Sequence, residues 1–142
     1  MISVVVLGAG NVGSHLVRIM QSVKKVNLVQ WYSRDKNSIK SDTKDIELCN
    51  DLKNLKTADI YIIAVTDKAI EALSKKLPFE NRLVVHTSGS IPLKKIDIKH
   101  KRGVFYPLQT FSMSADLEFS EVPFCMRSNI TSYTLLSKYA QN

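Results

Sequence analysis

The sequence predicts a doubly wound α/β domain built on a mostly parallel sheet. The apolar run at residues 4–7 has no polar alternation, which is typical of a strand buried on both faces of a parallel sheet. It leads directly into a glycine-rich turn at residues 8–13 (GAGNVG), and a segment with helical spacing follows. Further strand-like runs alternate with helical segments along the chain, which is the pattern of parallel α/β sheets.

The turn resembles the G-x-G-x-x-G pattern of dinucleotide-binding folds, in which each glycine has a separate role. Gly8 allows the tight turn out of the strand, Gly10 lets a diphosphate approach the backbone, and Gly13 lets the helix pack against the strand. The free N–H groups and the positive dipole end of the helix complete an anion site. The order of strand, glycines and helix therefore predicts dinucleotide binding. An unliganded glycine turn in an α/β core is the alternative.

Length and composition fit a single globular domain spanning residues 1–142. Apolar residues make up 44% of the chain and charged residues 23%, both ordinary proportions. No apolar run approaches the roughly 18 residues of a membrane span, and the N-terminus lacks the basic region of a signal peptide. The two cysteines, Cys49 and Cys125, lie far apart without metal-ligand spacing. We therefore expect reduced thiols, a cytoplasmic protein, and neither a metal site nor a membrane partner.

The net charge of +7 raises the question of nucleic acid binding. The one dense basic patch, at residues 94–102, has no interleaved aromatic residues and matches no nucleic-acid motif. A solvated surface is the favoured interpretation, with no nucleic-acid partner. The positive field would also mildly favour an anionic cofactor.

The second predicted strand, residues 26–32, bears on cofactor choice. At its end, an acidic residue would hold the ribose 2′-hydroxyl of NAD. Ser33 lies in that region and Arg34 follows, a pair that suits a 2′-phosphate because arginine offers charge and paired donors. This favours NADP over NAD. Asp35 could supply the acid for NAD if the alignment slips by two residues, and Arg34 could simply be an exposed loop charge.

The middle of the chain predicts an edge strand at residues 46–48 and a buried strand at 58–65. Thr66 and Asp67 are expected to cap a helix that runs through Leu77 and stops at Pro78. Ligands of open α/β sheets sit beyond the carboxyl ends of the strands, so Val65 and Thr66 should face the cofactor.

A further strand at residues 82–86 ends in the polar loop 87–90, where the nicotinamide and substrate would meet. The loop hydroxyls could bind a substrate carbonyl or carboxylate. His86 and Ser88 lack the third group and the strand-turn-helix context of a hydrolase site, so His86 is interpreted as a packed strand end.

The remaining elements are short. Residues 103–106 predict a strand that Pro107 ends in a fixed loop, because proline cannot continue a central strand. Residues 122–127 predict an edge strand, which the position of Pro123 suits. Residues 131–140 predict a closing helix.

Four segments together resemble the N-terminal half of a Rossmann-like oxidoreductase family: VVVLGAGNVGSHL, ADIYIIAVTDKAI, VVHTSGS and GVFYPLQTFS. The relatives include pyrroline-5-carboxylate reductases, deazaflavin-dependent NADP reductases and β-hydroxyacid dehydrogenases. The pair HTSGS and FYPLQTFS resembles most closely an uncharacterised branch whose C-terminal half has no known function. The resemblance covers residues 1 to about 127.

The resemblance implies specific site residues. The expected cofactor contacts are Gly8, Gly10, Asn11, Val12, Gly13, Ser33, Arg34, Val65, Thr66 and Asp67. Ser88 and Gln109 are the candidates for a catalytic role at the nicotinamide end. Members of the group usually continue into a helical domain that closes the active site and builds a homodimer, and this sequence stops at Asn142, where that domain would begin.

The implied function is hydride transfer, with NADP(H), to or from a small polar carbonyl, imine or hydroxy acid. Completion of the active site is expected to need the C-terminal domain. Two alternatives stay open. One is a non-catalytic module that binds NADP(H) or senses its redox state. The other is a domain for a different nucleotide, although the turn lacks the G-K-[ST] ending of a phosphate-binding P-loop.

Overall fold

The computed structural model describes residues 2–22, 26–35, 39, 46–88, 90–107 and 124–128 of the 142-residue chain. The elements in these ranges are, in chain order, β1 (Ile2–Leu7), α1 (Asn11–Gln21), β2 (Val26–Tyr32), β3 (Glu47–Cys49), a 3-10 helix (Leu52–Asn54), β4 (Ile60–Ile63), α2 (Asp67–Lys76), β5 (Leu83–His86), a 3-10 helix (Leu93–Lys95), β6 (Lys101–Pro107) and β7 (Phe124–Ser128). Gln109 and the predicted helix at residues 131–140 lie outside the described residues.

One seven-stranded sheet organises the described chain, in the order β3-β2-β1-β4-β5-β6-β7. All neighbouring pairs are parallel except β6 and β7, which are antiparallel. From β1 the chain adds β2 and then β3 toward one edge of the sheet. It then returns to place β4 on the other side of β1, and β5, β6 and β7 follow toward the opposite edge. This reversal makes the carboxyl ends of β1 and β4 the topological switch point, where doubly wound folds bind their ligands. The predicted fold class is confirmed.

Two buried clusters cover the two faces of the sheet. The cluster on one face contains the buried side of α1, namely Leu16, Val17, Ile19 and Met20, and we call it the α1-side core. The cluster on the other face contains Ile70 of α2 and Leu77 just beyond it, and we call it the α2-side core. Residues of β1 alternate between the two, so this strand is buried on both faces, as its unbroken apolar run predicts.

A β-bulge in β2 changes which face its last residues occupy. The pairing of β1 with β2 shifts by one residue between Val4 and Val5, so that Val4 pairs with Leu28 and Val5 pairs with Gln30. Leu28 and Trp31 therefore both belong to the α1-side core, although residues three apart in a regular strand face opposite ways. The bulge thus brings Trp31 to the side of the sheet that carries α1.

The predicted strands are present, with adjusted bounds. The edge strands β3 and β7 lie at the two ends of the sheet, as predicted. β6 ends at Pro107, one residue beyond the predicted bound, and Pro107 pairs with Phe124 of β7. The loop expected after Pro107 lies outside the described residues. The prediction that α2 begins at Thr66 and Asp67 is confirmed in position, but the expected side-chain capping bond is not formed. Thr66 occupies the N-cap position but makes no side-chain capping bond, and Asp67 bonds elsewhere.

Candidate functional site

The glycine turn that follows β1 is packed so closely that two of its glycines tolerate no side chain. Gly8 has φ of +122°, and a Cβ added there would lie 2.2 Å from the carbonyl oxygen of Ala64. A Cβ added at Gly13 would lie 2.2 Å from the carbonyl oxygen of Gly8. Gly10 is different, since a Cβ there would meet nothing within 4 Å. Gly8 and Gly13 therefore fit the packing roles predicted for them, and Gly10 faces open space.

Helix α1 presents unused backbone donors at this turn. Gly10 is its N-cap, and the first intrahelical bond runs from the Ser14 N–H to the Gly10 carbonyl, at 2.9 Å. The N–H groups of Asn11, Val12 and Gly13 have no acceptor within the helix. No acidic residue stands in the first turn. These donors and the helix dipole make the position favourable for an anion.

A cavity of about 810 Å³ opens at this turn and extends over the carboxyl ends of β1, β2 and β4. It contains every cofactor-binding residue expected from the sequence except Gly13, which lies beneath it as a packing contact. The predicted residues that line the cavity are Gly8, Gly10, Asn11, Val12, Ser33, Arg34, Val65, Thr66 and Asp67. Three separate stretches of the sequence therefore meet at one concave surface.

The segment after β2 forms the far rim of the cavity. The N–H of Ser33 donates to the Cys49 carbonyl at 2.9 Å, and its hydroxyl donates to the Asp35 carbonyl at 3.0 Å. Ser33 is buried, whereas Arg34 is exposed. The two bonds fix the turn that carries Arg34, so the guanidinium is presented at the cavity from a constrained backbone.

Sequence reasoning missed one wall of the cavity, which helix α2 supplies. Its residues there are Ala69, Ala72, Leu73 and Lys76, and Leu52 also lines the cavity. Their spacing of i, i+3, i+4 and i+7 defines one face of a helix. The two alanines and the leucine are small or apolar, which suits a flat aromatic base. The spacing is visible in the sequence, but the sequence predicts only a helix over these residues and does not indicate which of its faces meets a ligand.

The nicotinamide end proposed from the sequence contains a hydrogen-bonded cluster. The Ser90 hydroxyl donates to Asp67 Oδ2 at 2.9 Å, and the Ser88 and Ser90 hydroxyl oxygens lie 3.2 Å apart. Hydrogen bonds from Ser88 and Ser90 lower the pKa of Asp67 below its usual value of 3.8. The cluster joins the loops that follow β4 and β5, and Asp67 within it remains a carboxylate at neutral pH.

His86 contacts this cluster through a hydrogen bond with the backbone of Ser88. It is fully buried at the end of β5, and its Nδ1 accepts a hydrogen bond of 3.1 Å from the Ser88 N–H. Burial lowers the pKa of His86 below 6.5, so the ring is neutral. The backbone groups of Pro92 and Ile91 act against this lowering of the pKa. The buried Nε2 atom has no hydrogen-bond partner among the described residues. His86 and Ser88 are therefore joined through the backbone, and the geometry agrees with a packed strand end.

The described residues were also searched for a metal site and for a membrane-spanning helix. Among them, no group of three or more His, Cys, Asp or Glu side chains stands close enough to hold a metal ion. No helix in the described ranges is long and apolar enough to cross a membrane.

The geometry defines a class, a doubly wound α/β domain with an anion-binding turn at its switch point. A family model described as "NADP oxidoreductase coenzyme F420-dependent" matches residues 3–89, and the chain belongs to that family. It is accordingly an NAD(P)-binding domain of the oxidoreductase type. None of the curated proteins matches the chain.

Solved structures give the same picture of the fold. BF3122 from Bacteroides fragilis, provisionally named an NADP oxidoreductase, is 30% identical with a TM-score of 0.78, over 97% of this chain and 55% of that one. Pyrroline carboxylate reductase from Plasmodium falciparum, with NADP bound, is 16% identical with a TM-score of 0.73, over 99% and 54%. Prephenate dehydrogenase from A. aeolicus, with NAD+, is 12% identical with a TM-score of 0.71, over 99% and 57%. The chain thus spans about half the length of these proteins.

Proposed function

We propose that this chain is the NADP(H)-binding domain of an oxidoreductase that transfers hydride to or from a small polar carbonyl, imine or hydroxy acid. The observation that carries the proposal is that one and the same cavity is lined by the glycine turn, by Arg34 and by Asp67. The family and the fold support the dinucleotide. The choice of NADP over NAD rests on the chemistry of the rim.

The diphosphate of the cofactor is assigned to the start of α1. The N–H groups of Asn11, Val12 and Gly13 would donate to its oxygens, and Gly10 leaves room because no side chain projects there. Backbone donors cost no reorganisation when the anion arrives. They also distinguish poorly between NADP and NAD, since both carry the same diphosphate.

The 2′-phosphate of NADP is assigned to Arg34. A guanidinium offers paired donors and a permanent charge, and Arg34 is exposed at the cavity rim. Ser33 lines the cavity beside it, but its hydroxyl proton is already directed at the Asp35 carbonyl, so its main contribution is to fix the turn. Asp35 also lines the cavity and is the residue that would serve NAD.

The reacting end is assigned to the loops after β4 and β5. When bound, the nicotinamide supplies the hydride chemistry, and the protein supplies orientation and electrostatics. Val65 and Thr66 line the cavity here, and Ser88 is held in place by His86, Ser90 and Asp67. Ser88 does not line the cavity itself, and of the two catalytic candidates it is the one within the described residues, so we assign to it the contact with the carboxamide or substrate. Gln109, the second catalytic candidate, remains a proposal from the resemblance.

A non-catalytic NADP(H)-binding or redox-sensing module is the second candidate. What supports it is that Asp67, the acidic side chain of the cluster with Ser88 and Ser90, has a pKa below 3.8 and, like an ordinary aspartate, is ionised at neutral pH, so the cluster holds no protonated carboxyl group for a substrate. If the protein is an oxidoreductase, we propose that the proton donor comes from the helical domain that relatives carry after this domain. That helical domain would also form the homodimer. Under both candidate functions we propose a cytoplasmic location, because the two cysteines are far apart in the sequence and are expected to be reduced thiols.

Calorimetric titration with NADPH, NADH and ATP tests the proposal. We expect binding of NADPH, weaker binding of NADH and none of ATP. Binding of ATP alone would refute the dinucleotide assignment. The two candidates differ in turnover: a protein extended by its helical domain should oxidise NADPH with at least one member of a carbonyl and imine panel. Tight NADPH binding without turnover on the whole panel would favour the sensor.

A further inference from the structure

Both polar groups of Gly8 are held by consecutive residues of β2. The Gly8 N–H donates to the Tyr32 carbonyl at 2.8 Å, and the Gly8 carbonyl accepts the indole N–H of Trp31 at 2.7 Å. Trp31 is fully buried, with 0% of its surface exposed. The side-chain bond connects the core to the first residue of the glycine turn.

This bond depends on the irregularity of β2. In a regular strand, Trp31 would face the opposite side of the sheet from Leu28, but the register shift between Val4 and Val5 places both in the α1-side core. On that side the indole reaches the Gly8 carbonyl, which also faces Gly13 of α1. The Gly8 oxygen is therefore enclosed by the indole and the helix.

Fixing this carbonyl also fixes the next donor in the turn. The peptide bond between Gly8 and Ala9 is planar, and in the trans form its C=O and N–H point in opposite directions. The structure contains no cis peptide bond among its described residues. With the Gly8 carbonyl turned toward Trp31, the Ala9 N–H is turned away from it, and Ala9 lines the cavity. None of the described residues accepts a hydrogen bond from this N–H.

We propose that Trp31 is a positioning residue for dinucleotide binding, which acts by holding the Gly8–Ala9 peptide so that the Ala9 N–H is directed at the diphosphate. The inference rests on the proposed function, since it requires a dinucleotide in the cavity. Trp31 does not itself line the cavity, so any effect on the ligand is transmitted through the backbone.

The chain contains a single tryptophan, so its indole can be changed by one atom. Expression in a tryptophan auxotroph replaces it by 3-benzothienylalanine, which has nearly the same shape with sulfur in place of N–H. The matched control is 5-fluorotryptophan, which keeps the N–H donor. We expect the sulfur analogue to weaken NADPH binding about tenfold in calorimetry, the scale of one lost hydrogen bond. NADH binding should weaken by the same factor, because the diphosphate is common to both, and the fluorinated control should bind normally.

A purely structural role predicts something else. If the sulfur analogue lowers the thermal midpoint but leaves the Kd for NADPH unchanged, the inference is wrong. Equal losses in both analogues would also contradict it, since packing and not the donor would then be responsible. If the unsubstituted protein binds neither NADPH nor NADH, the proposed function itself is wrong. That outcome is distinguished from failure of the Trp31 inference because it is seen without any substitution.

A second measurement does not require the analogue to fold. In the unsubstituted protein, the one indole N–H gives one tryptophan side-chain peak in an ¹H–¹⁵N spectrum. We expect this peak to shift when NADPH is added and its hydrogen exchange to slow, because the diphosphate would tighten the peptide that the indole holds. A peak that keeps its position and exchange rate at saturating NADPH would overturn the inference.

Discussion

The carbonyl oxygen of Gly8 lies 2.2 Å from the point where a Cβ at Gly13 would stand. The helix therefore approaches the end of β1 more closely than any residue with a side chain would allow. Gly10, three residues before Gly13 in the same turn, has free space in the corresponding direction and an ordinary φ of −75°. Gly13 is therefore required for packing of the turn, whereas Gly10 lies at the proposed ligand site.

Substitution of these two glycines should have opposite effects. Gly13→Ala should destabilise the fold by about 1–3 kcal/mol, because neither the helix nor the Gly8 backbone can move without disturbing the core. Gly10→Ala should leave the free energy of unfolding unchanged or raise it by about 0.4–1 kcal/mol, because alanine reduces the freedom of the unfolded chain. It should nevertheless weaken NADPH binding, since the new methyl group would occupy space assigned to the diphosphate.

Urea unfolding and NADPH titration of both variants check this prediction. The Gly10→Ala variant is the informative one, because its stability and its binding are expected to move independently. If Gly10→Ala binds NADPH as tightly as the unsubstituted chain, the diphosphate does not approach the turn at this glycine.

Arg34 should determine the preference for NADP. Arg34→Ala should weaken NADPH binding about tenfold or more, the scale of a lost charge-assisted contact to phosphate, and leave NADH binding nearly unchanged. Lys75→Ala is a control of equal charge change, because Lys75 is exposed, pairs with Glu71 at 3.3 Å and lies off the cavity. Equal losses for both cofactors in Arg34→Ala would refute the 2′-phosphate assignment.

The hydroxyls of Ser88 and Ser90 should control the ionisation of Asp67. They lower its pKa in the native protein, so Ser88→Ala and Ser90→Ala should each raise it toward the usual value of 3.8. Carboxyl ¹³C NMR titration measures the shift directly. Glu71 is an internal reference, because its pKa is lowered by Lys75 and should not change in either variant. An Asp67 titration curve that is the same in all three proteins would show that the cluster does not form.

Stability should fall in mild acid because two buried histidines are neutral in the fold. Burial lowers the pKa values of His86 and His100 below 6.5. The unfolded chain therefore takes up protons first as the pH drops below that value, and the free energy of unfolding should decrease in that range and be constant above it. For His86, protonation of Nδ1 would also remove the acceptor of the Ser88 N–H.

Urea unfolding at several pH values between about 7.5 and 5.5 tests this dependence. His86→Asn keeps a side-chain acceptor for the Ser88 N–H but cannot be protonated, so its stability should vary less with pH than that of the unsubstituted chain. An identical pH slope in the two proteins would mean that His86 contributes nothing to the acid sensitivity.

Much of the fold and part of the site could be predicted from local patterns. The apolar run in β1 indicated burial on both faces, and the spacing of Gly8, Gly10 and Gly13 indicated a turn followed by a tightly packed helix. Because ligands of open α/β sheets bind at the carboxyl ends of the strands, the sequence alone assigns Arg34 and Thr66 to one surface, and both line the cavity.

The features that were not predicted depend on contacts between distant segments. The bulge that carries Trp31 to Gly8 depends on the pairing of two strands, and strand register is not visible in one strand alone. Asp67 was expected to cap its own helix, but it accepts from Ser90, a residue 23 positions away. The helical wall from Ala69 to Lys76 was visible as a face, but only the fold shows that this face lines the cavity.

The central claim is that the main-chain amides of the glycine turn bind the diphosphate of a dinucleotide. The most direct test is titration of the ¹⁵N-labelled chain with NADPH, followed by amide chemical shifts. If this claim is correct, the largest shifts will occur at Ala9, Gly10, Asn11, Val12 and Gly13, with a further shift at Arg34 that NADH does not produce. Saturable NADPH binding that leaves these amides unshifted would contradict it.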